Sequence, residues 1–380
     1  MADAPRRYCA TSEVHRLLLN TDPDYARNRS EIENFADVES ARGFAAAVPK
    51  VRTINVVVHV VYKTSQQNIS DAQIKSQIRI LNEDYAKANA DATKVPAVFK
   101  PLHADTKIQF KLASKDIFGA NSSGITRTKT AKNSFSFNDA VKASSSGGAD
   151  PWPAHRYLNV WVCNLGGGLL GYAQFPGGPW QKDGVVILHS AFGDTGTATD
   201  PFNLGRTATH EVGHWLNLFH IWGDDGTGCN GSDHCADTPN QASENYGKPA
   251  FPHISCNNGP NGDMFMDYMD YVDDDSMVMF TAGQAVRMNA TLNGWRKQLF
   301  QAVPKFQGNL GPSKTSKPAV KKVQTRLRDH FHHPELKADG VYGPTTTEII
   351  RGFQEHRSDA PWKLPVNGRI GKKTWIALFA

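Results

Sequence analysis

Apolar positions in this chain fall into short β-branched runs and longer stretches of helical spacing, separated by polar segments rich in Gly, Asn and Pro. Residues 53–63 (TINVVVHVVYK) carry the signature of a buried strand. Ile74, Ile78, Ile80 and Leu81 recur at roughly helical spacing within 71–89, with Ser70 or Asp71 as cap. Further strands are expected at 108–114, 157–164, 170–175 and 185–189, and further helices at 204–216 and 281–300. Residues 1–50 read as a polar, partly helical leader that ends in Ala-rich, Pro-containing sequence at 45–49. Residues 224–262 are dense in Gly, Asn, Asp and Pro; a loop of that length in a compact domain is usually functional or pinned by a metal or a disulfide. Strands interleaved with long helices predict a mixed sheet flanked by helices, and 310–317 (LGPSKTSK) reads as a linker.

Composition narrows the class. With 380 residues and 39% hydrophobic positions there is material for two or three domains, and no run approaches the roughly 18 to 20 apolar residues of a membrane span. Residues 1–20 show no apolar core or small-residue cleavage site of a secretory signal. Lys plus Arg number 42 against 37 Asp plus Glu; from Gly311 onward there are 13 basic and 6 acidic residues, so 29 basic and 31 acidic precede it. The positive excess therefore belongs to the tail. A basic module on a near-neutral body suits an anionic polymer, whether nucleic acid, membrane surface or cell wall, and equally suits a solubilising face. Five cysteines leave at least one without a partner in the chain.

The chemistry concentrates in HEVGHWLNLFH, His210 to His220. On a helix at about 100° per residue, His210 and His214 lie within about 40° of each other, one turn apart, so both imidazoles can reach one Zn²⁺. Glu211 stands beside them, placed to take a proton from a zinc-activated water and deliver it to a leaving amine. Ten further residues of helix would carry His220 about 15 Å from His210, too far to share a metal. The helix must therefore break after His214, and Asn217 stands where a residue tolerant of positive φ is needed. Three His ligands with an open fourth position make a catalytic rather than a structural zinc pattern.

With these residues in view the chain resembles the metzincin metallopeptidases, whose extended motif is HExxHxxGxxH, with Asn217 here in place of the usual Gly. The stretch MFMDYMDYVDDDSMVMFT (Met264 to Thr281) and the DTP at Asp237 to Pro239 are similar to the pappalysin (cytophagalysin) family, over about residues 50 to 300. The resemblance implies an α+β catalytic domain with a twisted, mixed five-stranded sheet, an active-site helix and a C-terminal helix. It implies Met269 as the floor under the zinc and Tyr271 as an oxyanion donor. Asp274 would line the pocket for a basic residue just after the scissile bond; a solvated acidic turn remains the alternative. Asp233 and Thr238 match calcium-site positions, and Cys229 and Cys256 match positions that pair. Lys248 and Ser276 stand where a second family bridge is missing. Cys9, in Arg7-Tyr8-Cys9-Ala10-Thr11, is similar to a pro-segment motif that holds a thiolate on the zinc; a plain thiol in a flexible leader is the other reading. In metzincins an edge strand above the zinc binds substrate antiparallel, and Leu170, Gly171 and Tyr172 are the candidates.

In the tail, DGVYGPTT (from Asp339) and NGRIGKKT (from Asn367) repeat with a 28-residue period. Together with an expected helix at 319–329, residues 317–380 resemble the three-helix peptidoglycan-binding domain, which implies a cell-wall polymer as partner rather than nucleic acid or a membrane interior.

The expected organisation is a pro-segment at 1–51, a catalytic domain at 52–305, a linker at 306–316 and the wall-binding module at 317–380. The expected activity is a secreted or wall-associated zinc endopeptidase acting on proteins or peptides, with Zn²⁺ and Ca²⁺ as cofactors. A peptidase or amidase acting on peptidoglycan, and a non-catalytic zinc-stabilised wall-binding protein, remain as alternatives.

Overall fold

The computed structural model describes residues 6–43, 50–226, 228–331, 333–358 and 362–379; the leader's expected end at 45–49 lies outside them. The chain divides into two compact units, Met1–Ala113 with Ser123–Leu299, and Phe300–Ala380 with Ser114–Ser122.

In the first unit the leader forms α1 (Thr11–Thr21) and α2 (Pro23–Gly43), followed by β1 (Arg52–Tyr62), α3 (Asp71–Tyr85), β2 (Ile108–Leu112) and β3 (Ile125–Lys129). Then come β4 (Leu158–Cys163), β5 (Gly171–Ala173), β6 (Val185–Leu188), α4 (Arg206–Trp215), the short pair β7 (Tyr246–Gly247) and β8 (Tyr271–Val272), and α5 (Ala282–Asn293). Ser70 caps α3 through Gln73 N, and Thr281 with Gln284 forms a capping box on α5.

The main sheet has the order β2-β1-β4-β6-β5, with every pairing parallel except β5 on β6, and β3 also pairs with β1. Six strands thus fill five positions. β1 is long enough to pair its first half (Arg52 to Val56) with β2 and its second half (Val58 to Tyr62) with β3 along one edge. The sequence pattern alone does not reveal β3, because ITRTK is half-exposed and carries one apolar anchor. The expectation of a mixed five-stranded sheet holds for positions and falls one short for strands.

Alternation divides the sheet residues between two faces. Val56, Val58, Val60, Val160, Val162, Val185 and Ile187 pack with Ile74, Leu81, Val212 and Trp215 of α3 and α4. Val61, Trp161, Cys163, Tyr172 and Val186 form the opposite face with Phe135, Val141 and Leu169. Burial on both faces is why these strands read as nearly unbroken apolar runs.

The second unit holds α6 (Pro318–His330), α7 (Pro344–Glu355) and α8 (Lys372–Phe379) around Val323, Leu327, Tyr342, Ile350, Ile370 and Trp375. The 28-residue repeat has a physical cause. Gln324 accepts from Gly340 N and donates to Val341 O and Thr346 Oγ1, while Gln354 accepts from Gly368 N and donates to Arg369 O and Thr374 Oγ1. Each buried glutamine ties one Gly turn, with positive φ at Gly340 or Gly368, to the Thr of the following helix. Residues 306–316, expected to be a linker, contribute to this fold. Leu310 is buried and exchanges main-chain bonds with Ile370, and Ser313 N donates to Tyr342 O. Pro, Ser and Gly mark the absence of regular structure, which is not the same as the absence of contacts.

Candidate metal centre

α4 buries all ten of its residues, and its second half carries His210 and His214, one turn apart on one face. The helix stops where expected: Asn217 takes φ 81°, and Leu218 N returns to Gly213 O at 2.9 Å. The reversal brings His220 back, so that His214 Nε2 lies 3.1 Å from both His210 Nε2 and His220 Nε2.

Each ring is oriented from behind. Nδ1 of His210 bonds Tyr268 O at 2.7 Å, Nδ1 of His214 bonds Leu218 O at 2.7 Å, and Nδ1 of His220 bonds Asp224 Oδ1 at 2.8 Å. Two carbonyls and a carboxylate only accept, so the ring protons sit on Nδ1 and the Nε2 lone pairs face one another. Burial and the neighbouring imidazoles hold His210 and His214 well below the usual imidazole range, leaving them neutral. Three converging lone pairs repel one another unless a cation lies between them. The donor set of imidazoles with a nearby thiol suits zinc. Cys9 Sγ completes the group, its ligand atom and the three His atoms all lying within 4.8 Å of one another.

Met269 packs against α4 at Gly213. A Cβ placed on Gly213 would stand 2.5 Å from Met269 Sδ, so Gly213 is needed for the thioether to approach the helix. Trp222 stacks on His220 at 4.3 Å between centroids. Sequence reasoning did not single out Gly213, Trp222 or Asp224. The signal for Asp224 was present in its position four residues after His220, but a carboxylate within an acidic loop carries no mark of its partner.

The leader runs through the cleft above these residues. Cys9 bridges Gly171 in the parallel sense; Leu170 N donates to Tyr8 O at 3.0 Å, Ala10 N to Gly171 O at 3.2 Å, and Ala173 N to Thr11 Oγ1 at 2.8 Å. Tyr172, between them, pairs with Val186 of β6 and buries its ring in the core, so Leu170, Gly171 and Ala173 carry the cleft-facing groups.

Glu211 accepts from Thr11 Oγ1 at 2.9 Å and lies 3.3 Å from Cys9 Sγ; burial pushes its carboxyl up to about 7. The Tyr271 hydroxyl donates to Cys9 O at 3.1 Å. Arg7 inserts its guanidinium 2.6 Å from Asp274 Oδ1, with further bonds to Val272 O and Thr207 Oγ1. Ser12 Oγ donates to Asp224 Oδ2 at 2.9 Å. From α2, Arg29 donates to Asn217 Oδ1 at 2.6 Å, and Glu33 pairs with Arg29 and Arg287. The reading of Cys9 as a thiol in a flexible leader is thus replaced by a buried residue in a packed segment.

Asp233 and Thr238 meet: the Thr238 hydroxyl lies 2.9 Å from each carboxylate oxygen. Burial raises Asp233 to about 7, and nearby Asp267 leaves Oδ2 buried without a hydrogen-bond partner. Cys229 and Cys256 form a disulfide, and Cys163 and Cys235 are buried thiols. Lys248 makes an exposed ion pair with Asp275 at 2.6 Å, next to Ser276.

Comparison with known proteins agrees with this geometry. Residues 142–293 match the family described as pregnancy-associated plasma protein-A, and residues 316–378 match the putative peptidoglycan binding domain. An extracellular metalloprotease of Pyricularia oryzae is 34% identical over 309 residues, covering 76% of this chain and 94% of that protein. Extracellular metalloprotease 1 of Coccidioides posadasii is 32% identical over 276 residues, 70% of this chain and 84% of its own length. Among solved structures, Tannerella forsythia promirolysin superposes with TM-score 0.71 at 47% identity, covering 77% of this chain and 97% of that one. Mature mirolysin of the same organism, in complex with a cleaved peptide, gives TM-score 0.65 at 52% identity, over 67% and 96%. The chain belongs to the pappalysin family of metzincin metallopeptidases and carries a C-terminal domain of the peptidoglycan-binding type.

Proposed function

We propose that this chain is the latent precursor of a secreted zinc endopeptidase that cleaves proteins or peptides before Arg or Lys. The observation that carries the reading is one leader strand that seats Cys9 among three converging imidazoles while Arg7 fills a buried pocket on Asp274. An arginine held there demonstrates that the pocket accommodates a guanidinium, the group a basic substrate residue would present. Relatives named extracellular metalloproteases support secretion, and a neighbour known in a pro-form and a mature form supports latency.

His210, His214 and His220 would hold the zinc, which supplies a Lewis acid for the peptide carbonyl and acidifies a water molecule. Glu211 takes the proton of the attacking water and returns it to the leaving amine. Tyr271 donates to the oxygen that gains charge, and its present acceptor, the carbonyl of Cys9, is a peptide oxygen at the same place. Leu170 and Gly171 align the substrate through their main chains, Tyr172 anchors that strand in the core, Met269 supports the ligands, and Asn217 turns the chain towards His220. In the leader the thiol of Cys9 takes the position a reacting group needs. The parallel sense of the leader, opposite to the antiparallel one inferred for substrates, keeps it from lying as a cleavable peptide.

Calcium near Asp233 and Thr238 is part of the reading, supported by the buried, unpartnered Asp267 oxygen. The basic second unit would bring the enzyme to an anionic wall polymer. Mass spectrometry of a proteome-derived peptide digest by the leader-cleaved protein, with and without chelator, tests the whole: cleavage before Arg and Lys that chelator abolishes is expected, and chelator-insensitive cleavage or none would overturn it. Retention of the full chain on peptidoglycan at low and high salt tests the wall partner.

A further inference from the structure

Next to the leader strand lies a cavity of about 470 Å³ that the catalytic residues do not use, lined by Tyr8, Phe135, Phe137, Ala140, Gly167 and Leu169 among others. Its base is apolar: Phe135 and Leu169 are buried, and half-buried Tyr8, Phe137 and Ala140 pack against the same cluster. Its rim is polar and exposed, with Lys132, Ser134, Ser136 and Asn138. The wall is built into the fold, since Gly166 N donates to Phe135 O at 3.0 Å and Phe135 N to Asn164 O at 2.9 Å.

Arg7 and Tyr8 are consecutive residues of an extended segment, so their side chains leave on opposite sides. Arg7 enters the Asp274 pocket, and Tyr8, leaving on the other side, forms part of the wall of this cavity. A substrate pairing antiparallel with β5 would run from Gly171 towards Leu170 and Leu169 after its scissile bond, towards the same cavity. A substrate's side chains alternate as well, so with the residue after the scissile bond on Asp274 the next one leaves on the other side, where the strand reaches Leu169 and the cavity it lines.

We propose that this cavity is the subsite for the second residue after the scissile bond, and that it selects an aromatic side chain, with Tyr8 walling one side of it in the latent chain. The proposal rests on the reading of Asp274 as the pocket for a basic residue. Phenolic and indole rings suit it, having an apolar body for the base and a polar edge for the rim.

The test is a matrix of quenched fluorescent peptides with Arg or Ala directly after the scissile bond and Tyr, Ala or Glu next. It uses the full-length protein in whichever form turns over peptide, uncleaved or nicked in the leader. Within the Arg row, Tyr should exceed Ala by about tenfold in kcat/KM, and Glu should fall below Ala. Ala140→Phe, which fills the cavity, should abolish the Tyr preference and leave the Arg preference intact. Equal rates for Tyr and Ala in the Arg row overturn the subsite. Equal rates for Arg and Ala overturn the Asp274 reading instead, so the two failures are distinguishable. A second measurement needs no turnover: Tyr8→Asp should speed tryptic nicking of the leader about tenfold relative to Tyr8→Phe, and equal rates would overturn the proposal.

Discussion

Arg7 and Asp274, 267 residues apart in sequence, form an ion pair with both side chains almost fully buried. The carboxylate is held by its own domain as well, because Asp274 Oδ2 accepts from Leu204 N at 2.8 Å and from Arg206 N at 3.2 Å. Asp274 is therefore fixed before any guanidinium arrives, and the leader provides only the countercharge. A site so preorganised loses little entropy on binding a cation and pays heavily when left without one.

Replacing Asp274 by Ala should reduce kcat/KM for peptides with Arg after the scissile bond by about 10²-fold or more, since a buried, hydrogen-bonded charge pair is worth about 2 to 5 kcal/mol. Peptides with Ala at that position should change only a few-fold. Steady-state kinetics on the two peptide sets checks this. In the uncleaved chain, Arg7→Ala leaves a buried carboxylate without its countercharge and should lower stability by about 3 kcal/mol in a urea titration.

Cys9→Ala in the uncleaved chain should raise peptidase activity well above wild type, because the fourth position at the imidazoles is then open to water. The Arg7 and Thr11 contacts remain, so activation should stay below that of the leader-cleaved enzyme. If Cys9→Ala is as inactive as wild type, the thiol has no part in latency.

Removing the metal should destabilise the chain. His214 Nε2 lies 3.1 Å from Nε2 of both His210 and His220, and with the ring protons on Nδ1 none of the three has a donor to accept from. Saturating zinc at about 1,000 times its Kd contributes about 4 kcal/mol. Calorimetry should therefore show a lower Tm in chelator, restored by zinc, with His214→Ala insensitive to both.

Asn217→Gly should act in opposite directions in the two forms. A left-handed conformation costs a non-glycine residue about 1 kcal/mol, which glycine relieves. In the uncleaved chain the substitution also removes one acceptor of the buried Arg29, which keeps Pro176 O and Glu33, and the amide that donates to Glu33, and these two losses together should dominate by about 1 to 2 kcal/mol. Parallel denaturation of uncleaved and leader-cleaved protein should show destabilisation in the first and a small gain in the second.

Gly213→Ala should destabilise the centre by about 1 to 3 kcal/mol, because the added methyl meets Met269 Sδ at 2.5 Å. Pairing it with Met269→Ala should recover part of that loss, a coupling that a double-mutant cycle measures directly.

The legible parts of the molecule are those with local causes. β1, β4 and β6 show as apolar runs because both of their faces are buried, and His210, His214 and Asn217 follow from helical period and backbone handedness. The tail repeat shows because each turn needs its Gly. β3 stayed hidden because its burial is partial, and Asp224, Gly213 and Trp222 because their partners are set by three-dimensional approach. Residues 306–316 look like a linker for the same reason: Leu310 is unremarkable in sequence until Ile370 is beside it.

What the sequence by itself determined is the chemistry: three imidazoles at spacings that require a helix and a reversal, a carboxylate between them, and a basic tail with its own repeat. These are short-range demands, decided within one or two turns of backbone. The tertiary structure decided what that chemistry faces in this form of the chain. Arg7, Tyr8, Cys9 and Thr11 acquire roles only because the leader is laid along β5, where Asp274, the Phe137 cavity, the imidazoles and Glu211 converge from segments up to 267 residues away. Such convergence depends on the packing of the sheet and α4 as a whole, and no local pattern of residues encodes it.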